Sequence, residues 1–199
     1  MIDFLTSPSF LLFARLFVGG VFIVSGIAKW VDKPGTEASM SRYRFLPVGS
    51  GKIIANVFPV LELLVGLMLV LGLLTTVAAL GAIALFAVFT GLIVYDLARG
   101  ENGACHCFGR LSDERLTPLA VVRNLVLMAL SLLVALGAGG WFSLDSALGI
   151  TRGRASAVQA DAANVVPIAL LALLAVSIVV YGGQAVAMVR NTLRGLGFR

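Results

Sequence analysis

From Pro8 to Trp30 the chain reads PSFLLFARLFVGGVFIVSGIAKW, and this stretch decides the fold. About 22 residues at ~1.5 Å of rise each give a helix of roughly 33 Å, enough to cross the hydrocarbon core of a bilayer. Ser7-Pro8 supplies the start, a capping hydroxyl followed by proline in the first turn. Arg15, Gly19, Phe22, Gly26 and Lys29 recur at helical spacing and share a face. The glycines let a second helix approach closely, and packing is their plainest role. The run is longer than the core of a secretory signal. It ends in Lys29-Trp30 without a small-residue cleavage site, so it reads as a retained helix.

The same pattern repeats outward. Further apolar spans are expected over residues 52–74, 76–98, 118–138 and 165–189. Composition agrees: 59% of the 199 residues are hydrophobic, only 13% are charged, and mean hydropathy is +1.02. A soluble domain carries about 25% charge. The fold class is therefore all-α, a polytopic membrane protein with a four-helix transmembrane bundle plus a fifth transmembrane helix. Residues 1–140 form the four-helix membrane domain, 141–163 a loop, and 164–199 the fifth helix with a basic tail. The bilayer is the first partner implied. The net charge of +5 is spread over loops and not clustered on one face, which argues against a nucleic-acid surface.

Between the first two spans, Asp32 to Gly51 reads as a polar loop interrupted by Tyr43, Phe45 and Leu46, so part of it suits the membrane interface. In the second span Ala55, Pro59, Glu62 and Gly66 share a face. The short connection after Leu74 makes spans two and three a tight antiparallel pair. An acid in mid-span is costly and faces protein. Counting inward from the end of the third span at ~1.5 Å per residue, Arg123 lies about 9 Å deep, Glu62 about 14 Å and Arg15 about 22 Å. Glu62 and Arg123 match best in depth and are expected to pair. Such a pair serves packing as readily as chemistry.

Five spans put the chain ends on opposite sides. Lys29, Lys33, Arg42, Arg44, Lys52, Arg99, Arg110, Arg115, Arg190, Arg194 and Arg199 fall on one side, against Arg152 and Arg154 on the other. The positive-inside rule then places the N-terminus outside and the 99–117 connection at the cytoplasmic face. A bacterial inner or plasma membrane is the expected location.

That connection holds both cysteines and the sole histidine, in Cys105-His106-Cys107-Phe108-Gly109-Arg110. Neighbouring cations such as Arg99 and Arg110 favour the reactive thiolate. A disulfide across one intervening residue closes a small, strained ring, and strained exposed disulfides are labile and oxidising. Three uses of the motif compete: a redox pair that exchanges with a thiol partner, a two-thiolate copper(I) site, and two unpaired structural cysteines. A tetrahedral metal centre lacks ligands, so no metal is assigned. A relay between two cysteine pairs needs four cysteines, and this chain has two. It must pass electrons to a partner protein, use another acceptor such as a quinone, or move its one pair between sides. No motif marks a quinone site, and no cofactor is assigned.

The order Arg15, Gly19, Ser25-Gly26-Ile27-Ala28-Lys29, then Tyr43-Arg44-Phe45-Leu46-Pro47, Pro59 to Gly66 around Glu62, Cys105-His106-Cys107-Phe108-Gly109 and Arg123-Asn124 resembles the methylamine-utilisation MauE branch of the DoxX-like membrane proteins. The match covers about residues 8 to 138. The resemblance implies a four-helix bundle core and a role beside thioredoxin-like partners in forming or maintaining disulfides of exported proteins, in reach of a larger membrane complex. It makes Cys105 and Cys107 the redox pair of a thiol–disulfide oxidoreductase. Arg15, Lys29, Glu62 and Arg123 become family polar positions, and His106 and Arg110, beside the cysteines in sequence, are added to them as supporting positions. A non-catalytic membrane assembly subunit or chaperone, or a copper(I) or small-molecule carrier, stands as the alternative.

Overall fold

The computed structural model describes residues 7–41, 43, 47, 50–99, 118–137, 145 and 162–195, with side-chain surroundings in the last helix as far as Tyr181. Among these residues six helices follow in order: α1 (Pro8–Val31), α2 (Lys33–Ser41), α3 (Ser50–Leu71), α4 (Thr75–Ala98), α5 (Pro118–Leu136) and α6 (Ala162–Gly195). Four of them, α1, α3, α4 and α5, are long and apolar enough to cross a membrane. The described side chains of α6, Val165 to Tyr181, form a shorter apolar helix. At ~1.5 Å per residue the whole α6 helix of 34 residues is about 51 Å long. The architecture is that of an integral, polytopic helical membrane protein.

α1 is the central helix. It packs against α3, α5 and α6, and α4 closes the bundle against α3 and α5. Its buried residues cover most of its circumference, from Leu11, Ala14 and Val18 to Phe22 and Ala28. In lipid, helices associate through close packing and hydrogen bonds, because tails are as apolar as leucine. Small residues supply that closeness. A Cβ on Gly66 would lie 2.9 Å from the Gly19 carbonyl oxygen, and a Cβ on Gly26 would lie 3.0 Å from the Pro59 carbonyl oxygen. These two crossings bring α1 and α3 nearly backbone to backbone. On α6, Ala172, Val176 and Val180 recur every fourth residue and are buried, with Val176 against Gly20 of α1. The outward faces carry exposed Val60, Leu64 and Leu67 of α3, Val77 and Leu80 of α4, and Leu125 and Leu132 of α5. A soluble protein would not leave so much apolar surface bare; here it meets lipid.

Helix ends follow local chemistry. Ser7 accepts from the Phe10 N–H at 3.3 Å with Pro8 in the first turn, as the sequence predicts. The Asp32–Gly51 stretch departs from expectation, because residues 33–41 are helix and not loop. Asp32 accepts the Gly35 N–H at 3.3 Å, and Pro34 sits in the first turn, where its missing N–H costs nothing. Beside it, Lys33 Nζ lies 4.1 Å from the centre of the Trp30 ring. This cation–aromatic pair suits the membrane–water boundary. Tyr43 then turns back into the bundle, and its hydroxyl donates to Asp96 Oδ2 at 2.8 Å near the end of α4.

α3 and α4 are joined by a tight turn with Gly72 at φ 66° and Leu74 at φ 46°. The first amides of α4 find their acceptor far along the chain. Leu74 N–H donates to Asp145 Oδ1 at 2.6 Å and Thr75 N–H to Asp145 Oδ2 at 2.7 Å. The Asp145 N–H donates in return to the Gly72 carbonyl at 3.0 Å. Asp145 falls within the 141–163 stretch, so that loop is tied to the bundle by at least this residue.

Candidate functional site

The buried polar cluster is built at the α1–α3 crossing. Lys29 and Ser25 are four residues apart on one face of α1, and Glu62 lies on the buried face of α3 with Ala55, Pro59 and Gly66. The close approach at Gly26 and Pro59 brings the two faces together. Lys29 Nζ donates to Glu62 Oε1 at 2.6 Å and to Ser25 Oγ at 2.6 Å. The Ser25 hydroxyl donates to the same Oε1 at 3.1 Å. Lys29 is 3% exposed and Glu62 1%, so the pair is fully desolvated. The Lys29 ammonium also faces the Phe89 ring of α4 at 4.7 Å from its centre. Each charge would be prohibitive there without the other.

The expected Glu62–Arg123 pair is therefore corrected: the ion-pair partner of Glu62 is Lys29. Depth counted from helix ends misled because it ignored the reach of a lysine side chain and the direct α1–α3 crossing. Arg123 remains close. With Asn124, Ser25, Glu62, Phe22, Phe86 and Phe89 it lines a cavity of about 20 Å³. Arg123 is also near enough to Lys29 for their like charges to repel. Glu62 Oε2 is buried and has no hydrogen-bond partner among the described residues.

Arg15 belongs to the other end of the bundle. It is buried, and its charge acts on Asp145 across the start of α4. Burial alone would push the Asp145 carboxyl up. The amide hydrogen bonds from Thr75 and Leu74 and the Arg15 charge outweigh it and hold this group below the ordinary carboxylate range. Cys105, His106, Cys107 and Arg110 lie outside the described residues. The segment that carries them joins the end of α4 to the start of α5, the end of the bundle where Tyr43 meets Asp96.

Of the polar positions read from the sequence, Lys29, Glu62 and Arg123 converge and Arg15 stands apart. Reading by sequence missed Ser25 and Asp145 as partners. The four-residue spacing of Ser25 and Lys29 was a usable signal. Nothing local marks Asp145, whose targets are about 70 residues away.

Comparison with known proteins completes this picture. The sequence model of the family described as "Methylamine utilisation protein MauE" matches residues 7–137. The chain belongs to the MauE family. It is 33% identical over 138 residues to the methylamine utilization protein MauE of Paracoccus denitrificans, covering 69% of this chain and 74% of that protein. It is 32% identical over 137 residues to the protein of the same name from Methylophilus methylotrophus, covering 68% of this chain and 72% of that one. No solved structure matches. The MauE match ends with α5, so α6 and the segment leading to it are outside it. The buried Ser25–Lys29–Glu62 cluster, Arg123 and the two cysteines all fall within it.

Proposed function

We propose that this protein is a membrane thiol–disulfide exchange component that supports methylamine utilisation, with Cys105 and Cys107 as the exchanging pair and a thioredoxin-like partner at the membrane face. The observation that carries the reading is positional. The sole cysteines of the chain sit in the segment that leaves the bundle at the end of α4, and Lys29, Arg123 and Arg99 lie in or at that half of the bundle. Positive charge near a thiol favours the thiolate, the form that attacks a disulfide.

The step is an exchange. A thiolate of the pair attacks one sulfur of the partner's disulfide, and the partner's other sulfur leaves as thiolate. The second thiolate of the pair then attacks the mixed disulfide. Cys105 and Cys107 end oxidised, the partner ends as a dithiol, and two electrons have moved; the reverse direction uses the same bonds. Membership in the MauE family supports the link to methylamine utilisation. The charge count supports a cytoplasmic position for the cysteine segment, and the membrane in this reading is a bacterial inner membrane.

The deciding experiment labels membranes with a bulky thiol reagent, permeant and impermeant, before and after reduction. Cycling of the pair with ambient potential, and its loss of mixed-disulfide capture in the Cys105→Ser/Cys107→Ser variant, is expected. Thiols that stay free at every accessible potential would overturn the proposal. A second reading, a non-catalytic assembly subunit, draws on the buried Lys29–Glu62 pair as a packing device. It requires that the double serine variant keep full function.

A further inference from the structure

Glu62 uses one oxygen and leaves the other. Oε1 accepts both Lys29 and Ser25, while Oε2 is buried with no hydrogen-bond partner among the described residues. A buried carboxylate oxygen without a donor is costly, and a paired carboxylate has lone pairs to spare. Glu62 lines the adjoining cavity of about 20 Å³, whose other polar walls are Ser25, Arg123 and Asn124. That volume suffices for one water, and a water needs two or more polar partners, which these walls provide. The remaining walls, Val21, Phe22, Phe86, Phe89 and Leu127, are apolar.

We propose that this cavity is a one-water proton site in which Glu62 Oε2 is the acceptor. Of the charged groups, Arg123 from α5 lines the cavity beside Glu62, Lys29 from α1 pairs with Glu62 through Oε1, and α4 contributes Phe86 and Phe89. A weak acid reaching the cavity loses its proton through the water to Oε2. The acid's bond to hydrogen breaks, a carboxyl O–H bond forms, and the electron pair stays on the acid, so nothing is oxidised or reduced. The new anion finds Arg123 facing it, and Lys29 keeps its hydrogen bond to Ser25.

The full chain in lipid nanodiscs is titrated and followed by infrared difference spectroscopy. A protonated-carboxyl band that grows on acidification, shifts in deuterium oxide and vanishes in Glu62→Gln is expected. Asn124→Leu, which leaves the ion pair intact and fills the cavity, is expected to slow the deuterium shift at least about tenfold. A band insensitive to Glu62→Gln, or one that exchanges equally fast in Asn124→Leu, overturns the site.

Discussion

Lys29 Nζ and Glu62 Oε1, 33 positions apart in sequence, are 2.6 Å apart in the core of the bundle and locked by a shared hydrogen bond to Ser25. The contact depends on glycine. Without the close approach at Gly26 the lysine would not reach the acid. Replacing one member leaves a buried charge, at a cost of ~3–5 kcal/mol, whereas removing both leaves none. Lys29→Met and Glu62→Leu should each destabilise strongly, and the double variant by clearly less than the sum of the two. Unfolding in mixed micelles followed by circular dichroism measures all three, and simple additivity would rule the coupling out.

The crossing itself makes a separate prediction. A side chain at Gly66 would sit well inside van der Waals contact with the Gly19 carbonyl oxygen and the Ile23 backbone nitrogen, 2.9 and 3.0 Å from the added Cβ. Gly66→Val should cost ~1–3 kcal/mol through overpacking. Gly91, which has nothing within 4 Å, is the control. Gly91→Ala should leave the melting temperature unchanged or raised, since alanine suits a helix interior better than glycine.

Tyr43 ties the connection between α2 and α3 to the end of α4 through Asp96, and its ring lies 6.0 Å from that of Tyr95. Tyr43→Phe removes the hydroxyl and leaves a buried acceptor without this donor, a cost of ~1–3 kcal/mol. The effect should be local. Hydrogen exchange should quicken around residues 40–50 and at the end of α4 while the Lys29–Glu62 crossing keeps its protection. Uniform loss of protection would mean that the link holds the whole bundle.

The first four spans were legible because membrane helices declare themselves by length and apolarity alone. The Ala55–Pro59–Glu62–Gly66 face was legible too, since helical spacing and the cost of a buried acid both point inward. The partner of that acid was not. Arg123 and Lys29 are both cations at this end of the bundle, and only the Gly26–Pro59 crossing selects between them. The α2 helix escaped because nine mostly small and polar residues carry no apolar period, and a cap on Asp32 makes the difference. Asp145 escaped for the opposite reason, a contact about 70 residues long that leaves no local trace.

Asp145 also gives the bundle a pH dependence with a definite sign. Its carboxyl accepts the first amides of α4 and faces Arg15, so its folded pKa is depressed despite burial. An unfolded aspartate titrates near ~3.9. The stability it contributes is therefore fully present above about pH 4 and is lost as pH falls through the lower folded value. Asp145→Asn keeps one acceptor oxygen and loses the charge, so it should cost ~1–2 kcal/mol at neutral pH, the range of a lost helix cap. The gap between wild type and Asp145→Asn should narrow as the pH drops below about 4, because protonation makes the two side chains alike. Thermal unfolding of both proteins at neutral pH and at successively lower pH measures that gap. A gap that stays constant would show that the carboxylate charge is not what holds the start of α4.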